Sequence, residues 1–414
     1  MRFETRQVWP VTLCLAVGSL VACSRPAKTG TASWSPKAAA AYLDQREVTW
    51  MGWPGAARDH GTFCISCHTV LPYALARPAL RKALNEQEPS DDERKILENV
   101  TKRVRLWNEV GPYYSDDGYS NGKPAESRGT EAVLNALILA SNDAQGGKLS
   151  DDTRMALDNM WALQLPEGDG KGAWAWLQFG MEPWEATDSR YFGAALAAVA
   201  TGIAPEDYRS SSGIQANVHL LSDYLKRNAD KQSMMNRVVL LWASVKLPGL
   251  LEPERQKTLI REITNEQQSD GGWALSSHAW PEGWSLHSMV RRRLRSDWTR
   301  QNAESDGYAT GLVTFVLQEV GESPQDSSVK RGLSWLARNQ SADDGSWPSS
   351  SLNQRRNPSS NVGHFMRDAA TAYAVLALSE NGRISSHDSS TARVSTQSSP
   401  TPSAPRVADV TRGD

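Results

Sequence analysis

Apolar residues recur at three- and four-residue spacing along most of this chain, and the alternation expected of strands is nearly absent. The pattern predicts helices in six pairs: 36–46 with 73–86, 94–108 with 129–141, 157–164 with 188–200, 215–229 with 234–246, 259–267 with 306–317, and 332–340 with 368–378. Several first members are amphipathic. The second members at 188–200, 306–317 and 368–378 are apolar nearly all round, as helices enclosed by others should be.

Three segments repeat a local device. Trp161-Ala162-Leu163-Gln164 runs through a glycine-rich turn to Trp174 and Trp176. Gln267-Gln268-Ser269-Asp270-Gly271-Gly272-Trp273 repeats it, and so does Gln340-Ser341-Ala342-Asp343-Asp344-Gly345-Ser346-Trp347. Each time a helix ends near Gln, a glycine turn follows and Trp closes it. Glycine supplies positive φ and aspartate local hydrogen bonds. The indole can cover the preceding helix while its N–H finds a carbonyl. These turns give several of the 16 tryptophans a job.

The 414 residues, 39% hydrophobic and 22% charged, suit a soluble globular body. A net charge of −2 gives no bulk basic footprint for nucleic acid. Four cysteines lie in two places. Residues 1–22 carry Arg2 and Arg6, then an apolar run at 11–22 too short for a stable membrane anchor, which has the layout of an export signal. It ends in Leu20-Val21-Ala22-Cys23, which resembles the lipobox of bacterial lipoproteins. That resemblance implies cleavage before Cys23, lipidation of its thiol and anchoring to a membrane. Ser24 at the next position implies an outer-membrane location facing the periplasm. Residues 23–35 read as a tether.

Cys64-Ile65-Ser66-Cys67-His68 is the c-type haem attachment pattern. Two thiols one helical turn apart can each bond a haem vinyl group, and the adjacent histidine then faces the iron as proximal ligand. A redox dithiol or half a zinc site would use the same two cysteines. A zinc site wants a second pair, and the body has no other cysteine. A redox dithiol wants a βαβ setting, and none is visible. One covalent haem c at Cys64, Cys67 and His68 is therefore expected, within a helical region over 36–93. The sixth ligand is open. Residues 69–154 contain neither methionine nor histidine. The sixth position is either empty or filled by Met51, His60, His364 or Met366, with Met181, His278 and His287 as further candidates. An open position allows ligand or peroxide chemistry; a filled one favours electron transfer.

The Gln–Gly–Trp turns resemble the QW motifs of the squalene–hopene cyclase and protein prenyltransferase superfamily. The resemblance implies an all-α (α/α)6 toroid over 94–382, inner helices inside outer ones around a cavity that commonly holds isoprenoids. Ser305–Gly311 (Ser-Asp-Gly-Tyr-Ala-Thr-Gly) resembles the inner helix of an exported, haem-attached branch. The cyclase acid motif Asp-x-Asp-Asp is not found, because Asp343-Asp344 and Asp116-Asp117 read as turn residues. The prenyltransferase zinc set has no free thiol to use. The fold can be inherited without the chemistry.

Asp188, Asp306 and Asp368 each begin an enclosed helix in this reading. They are helix caps, or a carboxylate ring at one cavity mouth that meets a polar head group or supports the haem. Insertions at 274–304, with His278, Trp280, Trp284, His287 and Arg291 to Arg295, and at 348–367, with Arg355, Arg356, His364 and Met366, read as a lid or as solvated basic segments. Residues 383–414, rich in Ser, Thr and Pro, read as a disordered tail. The expectation is an exported, envelope-anchored haem protein. Its role would be electron transfer to a redox partner protein or small carrier, or haem-dependent oxidoreductase chemistry, with an isoprenoid-like ligand in the cavity. A non-redox cyclase and a ligand-binding scaffold are the alternatives.

Overall fold

The structure is a computed structural model and describes residues 33–115, 122–278, 304–349, 351–352 and 356–379. Cys23 and the signal, the Asp116-Asp117 turn, most of the 274–304 insertion with His287, Arg355 and the 383–414 tail lie outside the described residues, as does the side chain of His278.

The chain is all-α. Among the described residues there are twelve helices of at least twelve residues. They are α1 (Pro36–Met51), α2 (Val70–Ala83), α3 (Asp91–Arg105), α4 (Lys123–Gly146), α5 (Asp151–Ala162), α6 (Ser189–Ile203), α7 (Gln215–Asn228), α8 (Met234–Lys246), α9 (Pro253–Asn265), α10 (Gly307–Glu319), α11 (Ser327–Asn339) and α12 (Asn361–Leu378). A two-residue antiparallel pair, β1 (Ala57–Arg58) with β2 (Thr62–Phe63), is the sheet described. No helix among the described residues is long and apolar enough to cross a membrane.

The starts of these helices follow local rules. Ser35 caps α1, its hydroxyl accepting from Ala38 N at 3.2 Å with Pro36 in the first turn. Ser90 and Glu93 form a reciprocal capping box on α3, with Asp91 and Asp92 at its start and Lys102, Arg103 and Arg105 at its end. The two classes of helix bury different surfaces. On α3 one stripe is buried, through Glu93, Ile96, Asn99, Val100, Arg103 and Val104. On α6 every residue but Arg190 is buried. The even-numbered helices pack on one another in the order α2, α4, α6, α8, α10, α12, and α12 packs back on α2. The odd-numbered helices cover them: α5 on α4, α7 on α6, α9 on α8, α11 on α10, and α1 on both α12 and α2.

The three tryptophan turns share one geometry. Trp174, Trp273 and Trp347 are fully buried, and each indole N–H donates back to the preceding helix, to Met160 O at 2.6 Å, Ile263 O at 2.9 Å and Leu336 O at 2.8 Å. Each glutamine amide donates twice. Gln164 reaches Gly172 O and Asn217 O, Gln267 reaches Gly271 O and Ser328 O, and Gln340 reaches Gly345 O and Ser35 O. The second acceptor always lies at the start of the next odd-numbered helix. Gln340 Oε1 also accepts from Ser35 N at 2.7 Å, so the last turn holds the first helix. Gly345 has φ +78°, and a Cβ there would meet the Ala38 backbone at 2.5 Å. Only glycine permits both that dihedral and that approach.

Two helix starts that differ from expectation are set by serine hydroxyls. Helix α12 begins at Asn361, because Ser360 accepts from Gly363 N at 3.1 Å. Asp368 is therefore two turns inside that helix and buried, and it does not begin it. Helix α2 begins three residues earlier than the pattern suggests, at Val70, because the Ser66 hydroxyl accepts from Thr69 N and Val70 N.

Candidate functional site

Cys64, Cys67 and His68 lie in the irregular segment between β2 and α2, not on a helical turn as their spacing suggests. Side chains from α3 aim that segment inward. Asn99 brackets Phe63, its Oδ1 accepting from Phe63 N at 2.9 Å and its Nδ2 donating to Phe63 O at 3.1 Å. Arg103, wholly buried, donates to Thr62 Oγ1 at 2.7 Å and pairs with buried Glu131 of α4. The Trp50 indole donates to Cys64 O at 2.8 Å. Both cysteines are free thiols, and they and His68 are buried, between 2% and 5% exposed.

Burial pushes the Cys64 thiol up to about 12 and Cys67 well above its ordinary value. A redox dithiol needs the opposite, a thiolate stabilised near neutral pH. Burial, followed by the cations Arg356 and Arg46, holds the His68 imidazole well below its usual range. The ring is neutral at physiological pH, which is the form that ligates a metal. Three rings wall it: Phe365 stacks on it at 3.5 Å between centroids, Trp50 meets it edge-on at 5.3 Å, and Trp184 lies at 5.7 Å.

His68 Nδ1 stands 3.0 Å from Thr69 Oγ1, which donates to Asp368 Oδ2 at 2.9 Å. The same carboxylate accepts from Tyr42 OH at 2.8 Å and from Arg46 Nε and Nη2 at 2.9 and 3.2 Å. Three residues supply four donor atoms, the pattern of an ionised carboxylate. Burial leaves the Asp368 carboxyl above its ordinary value, although the Arg46 guanidinium and the hydrogen bonds draw it down. Glu185, whose charge acts on Cys64 and Cys67, is buried with Oε2 unpartnered, and burial pushes its carboxyl up to about 7. Arg356 lies over Phe365 at 5.4 Å and donates to Val362 O. Trp184 donates to Tyr308 OH at 3.1 Å, and Tyr308 meets Tyr373 edge-on.

The candidate sixth ligands are scattered. His60 sits in the β1–β2 turn, exposed, its Nδ1 3.4 Å from Asp59 Oδ2. Met51 ends α1, half-buried, and Met181 is half-buried in the loop before α6. Met366 is buried in α12 next to Phe365. His364 comes nearest to the network, with Nδ1 3.4 Å from Tyr42 OH. Among the described residues, the aromatic rings beside His68 are Trp50, Trp184 and Phe365, and neither His60 nor His364 is among them.

The three aspartates also part company. Asp306 is a cap, accepting from Tyr308 N, Ala309 N, Leu275 N and Ser349 Oγ. Asp188 precedes α6, exposed and without a side-chain capping bond. Asp344 accepts from Ser346 N inside the last tryptophan turn and pairs with Arg367.

Thr69, Tyr42, Arg46, Trp50, Trp184 and Glu185 are the residues that sequence reasoning missed. The available signal was Arg46-Glu47 within an otherwise apolar stripe and Asp368 ahead of an apolar run. The donor set fits a covalently held haem: unpaired thiols three apart, a neutral histidine with one nitrogen tethered, and an apolar aromatic wall. The chain matches no known protein-family model.

Proposed function

We propose that this chain is an exported, lipid-anchored carrier of one covalent haem c, acting in electron transfer or haem-based redox chemistry at the bacterial cell envelope. Its body is read as an (α/α)6 toroid of the squalene–hopene cyclase and prenyltransferase kind. The closed succession of even-numbered helices, covered by the odd-numbered ones, supports that reading. So do the three glutamine–tryptophan turns that pass from each repeat to the next.

The observation that carries the functional reading is the burial of Cys64, Cys67 and His68 together, with the imidazole tethered at Nδ1. Cys64 and Cys67 would hold the porphyrin through thioethers, and His68 Nε2 would ligate the iron. When bound, the group supplies a one-electron couple. Trp50, Trp184 and Phe365 exclude water from the imidazole, and a dry shell affects both potential and ligand access. Arg356 is the cation placed beside this wall. A cyclase gains no support: Asp343-Asp344 belongs to a turn, and Asp344 is occupied by Ser346 and Arg367.

The test is an absorption spectrum of protein produced with c-type haem maturation machinery. We expect bands that survive acidic acetone extraction and vanish in the Cys64→Ala/Cys67→Ala variant. An extractable or absent haem sinks the reading. Added carbon monoxide or cyanide then reports whether the sixth position is open. Organic extraction of purified protein tests for an isoprenoid-like ligand.

A further inference from the structure

Thr69 stands where a helix cap belongs, but its hydroxyl does no capping. Ser66 takes that role, accepting from Thr69 N and Val70 N at 3.2 and 3.1 Å. The Thr69 hydroxyl is thereby free, and it lies between His68 Nδ1 and Asp368 Oδ2. A hydroxyl has one proton to give. Asp368, an ionised acceptor with four donors around it, takes that proton at 2.9 Å. Toward the imidazole, then, Thr69 Oγ1 can only accept. Nδ1 carries the hydrogen and Nε2 presents a bare lone pair.

Resting on the haem reading above, we propose that Thr69 and Asp368 are positioning residues for the axial histidine: the His68–Thr69–Asp368 relay fixes the Nδ1–H tautomer and makes Nε2 a strong donor that favours ferric over ferrous iron. A carboxylate drawing on the far proton of a ligating imidazole raises its basicity. The relay passes that pull through one hydroxyl, in a low-dielectric interior where hydrogen bonds polarise one another. Arg46 and Tyr42 orient the carboxylate from α1, so the electronic character of the iron ligand depends on helix packing between the two ends of the described chain.

Thr69→Val keeps the shape and removes both bonds. In the haem-loaded full chain it should shift the midpoint potential upward and lower the iron–histidine stretching frequency of the ferrous form. Thr69→Ser should restore both. A wild-type potential and frequency in Thr69→Val, with haem still covalently attached, overturns the relay and leaves the haem reading standing. Haem-free protein gives a second readout. In it, 15N NMR should find His68 protonated at Nδ1, and a mixture of tautomers in Thr69→Val. An Nε2–H tautomer in the haem-free wild type overturns the relay directly. Failure to attach haem overturns the functional reading and, with it, the effect on the iron.

Discussion

The tryptophan turns and the Cys64–Thr69 segment solve the same problem, fixing non-helical backbone, in opposite ways. Each turn is nearly self-sufficient. Its glutamine, glycine and tryptophan lie within about ten residues and bond one another or the preceding helix, with outward bonds to the next helix start and to the enclosed helix behind it. The Cys64–Thr69 segment has little of its own: Asn99 and Arg103 hold its beginning, and Asp368, 299 residues beyond Thr69, holds its end. Local devices repeat because they carry their instructions with them. The Cys64–Thr69 segment is specified by residues scattered through the sequence, and the elements that hold it must assemble to form it.

The comparison breaks most sharply at Asp368. Asp368→Ala leaves the Arg46 guanidinium buried without its counter-ion, keeping only a bond to Asn361 O, and losing one member of a buried ion pair costs about 3–5 kcal/mol. Denaturant unfolding should show that loss, and a change near zero would mean that Arg46 finds another partner. A loss of similar size, about 3–5 kcal/mol, is expected for Trp273→Ala from cavity formation, within the repeat hardware and without effect on His68.

Glu185 sharpens the comparison by pH. Its pKa rises from an ordinary 4.5 to about 7 in the fold. Below 4.5 the carboxyl is protonated folded and unfolded, and no penalty exists. As pH rises through 4.5 to 7 the unfolded chain ionises first, so stability falls, and above 7 the full penalty remains. Glu185→Gln should therefore be more stable than wild type at pH 8 by at most about 3 kcal/mol, and indistinguishable at pH 4. Melting curves across that range decide it, and a gain at pH 4 would refute the assignment.

The smallest effect belongs to the glutamines. Gln267→Ala and Gln340→Ala should each cost about 1–2 kcal/mol, from the lost amide bonds to the Gly271 and Gly345 carbonyls and to the next helix start. The sites share no residues in these bonds, and the double variant should be additive within about 0.5 kcal/mol. Strong non-additivity would show that the turns act as one unit.

The sequence carried what is local. Apolar periodicity placed the helix pairs at 215–229 and 234–246 within a residue of α7 and α8, and the Gln-to-Trp spacing anticipated the indole bonds. The Cys64, Cys67 and His68 cluster was legible because its members are adjacent. Asp368 was misread as a helix start because the capping serine, Ser360, sits in a serine-rich stretch where no single residue stands out. Nothing near His68 points to Asp368, Arg46 or Tyr42, and no pattern within one helix can reveal a contact across some 300 residues.

The bonds from Gln340 to Ser35 span 305 residues, and those from Asp368 to Tyr42 and Arg46 more than 320. Closing a loop of that size is entropically expensive, and contacts that require it form late. Loop closure of that length places the seam between the first and last described helices among the late contacts to form. Cys64 and Cys67 lie beneath that seam, shut from solvent once it zips. An enzyme that modified these thiols would have to reach them before that seam closes.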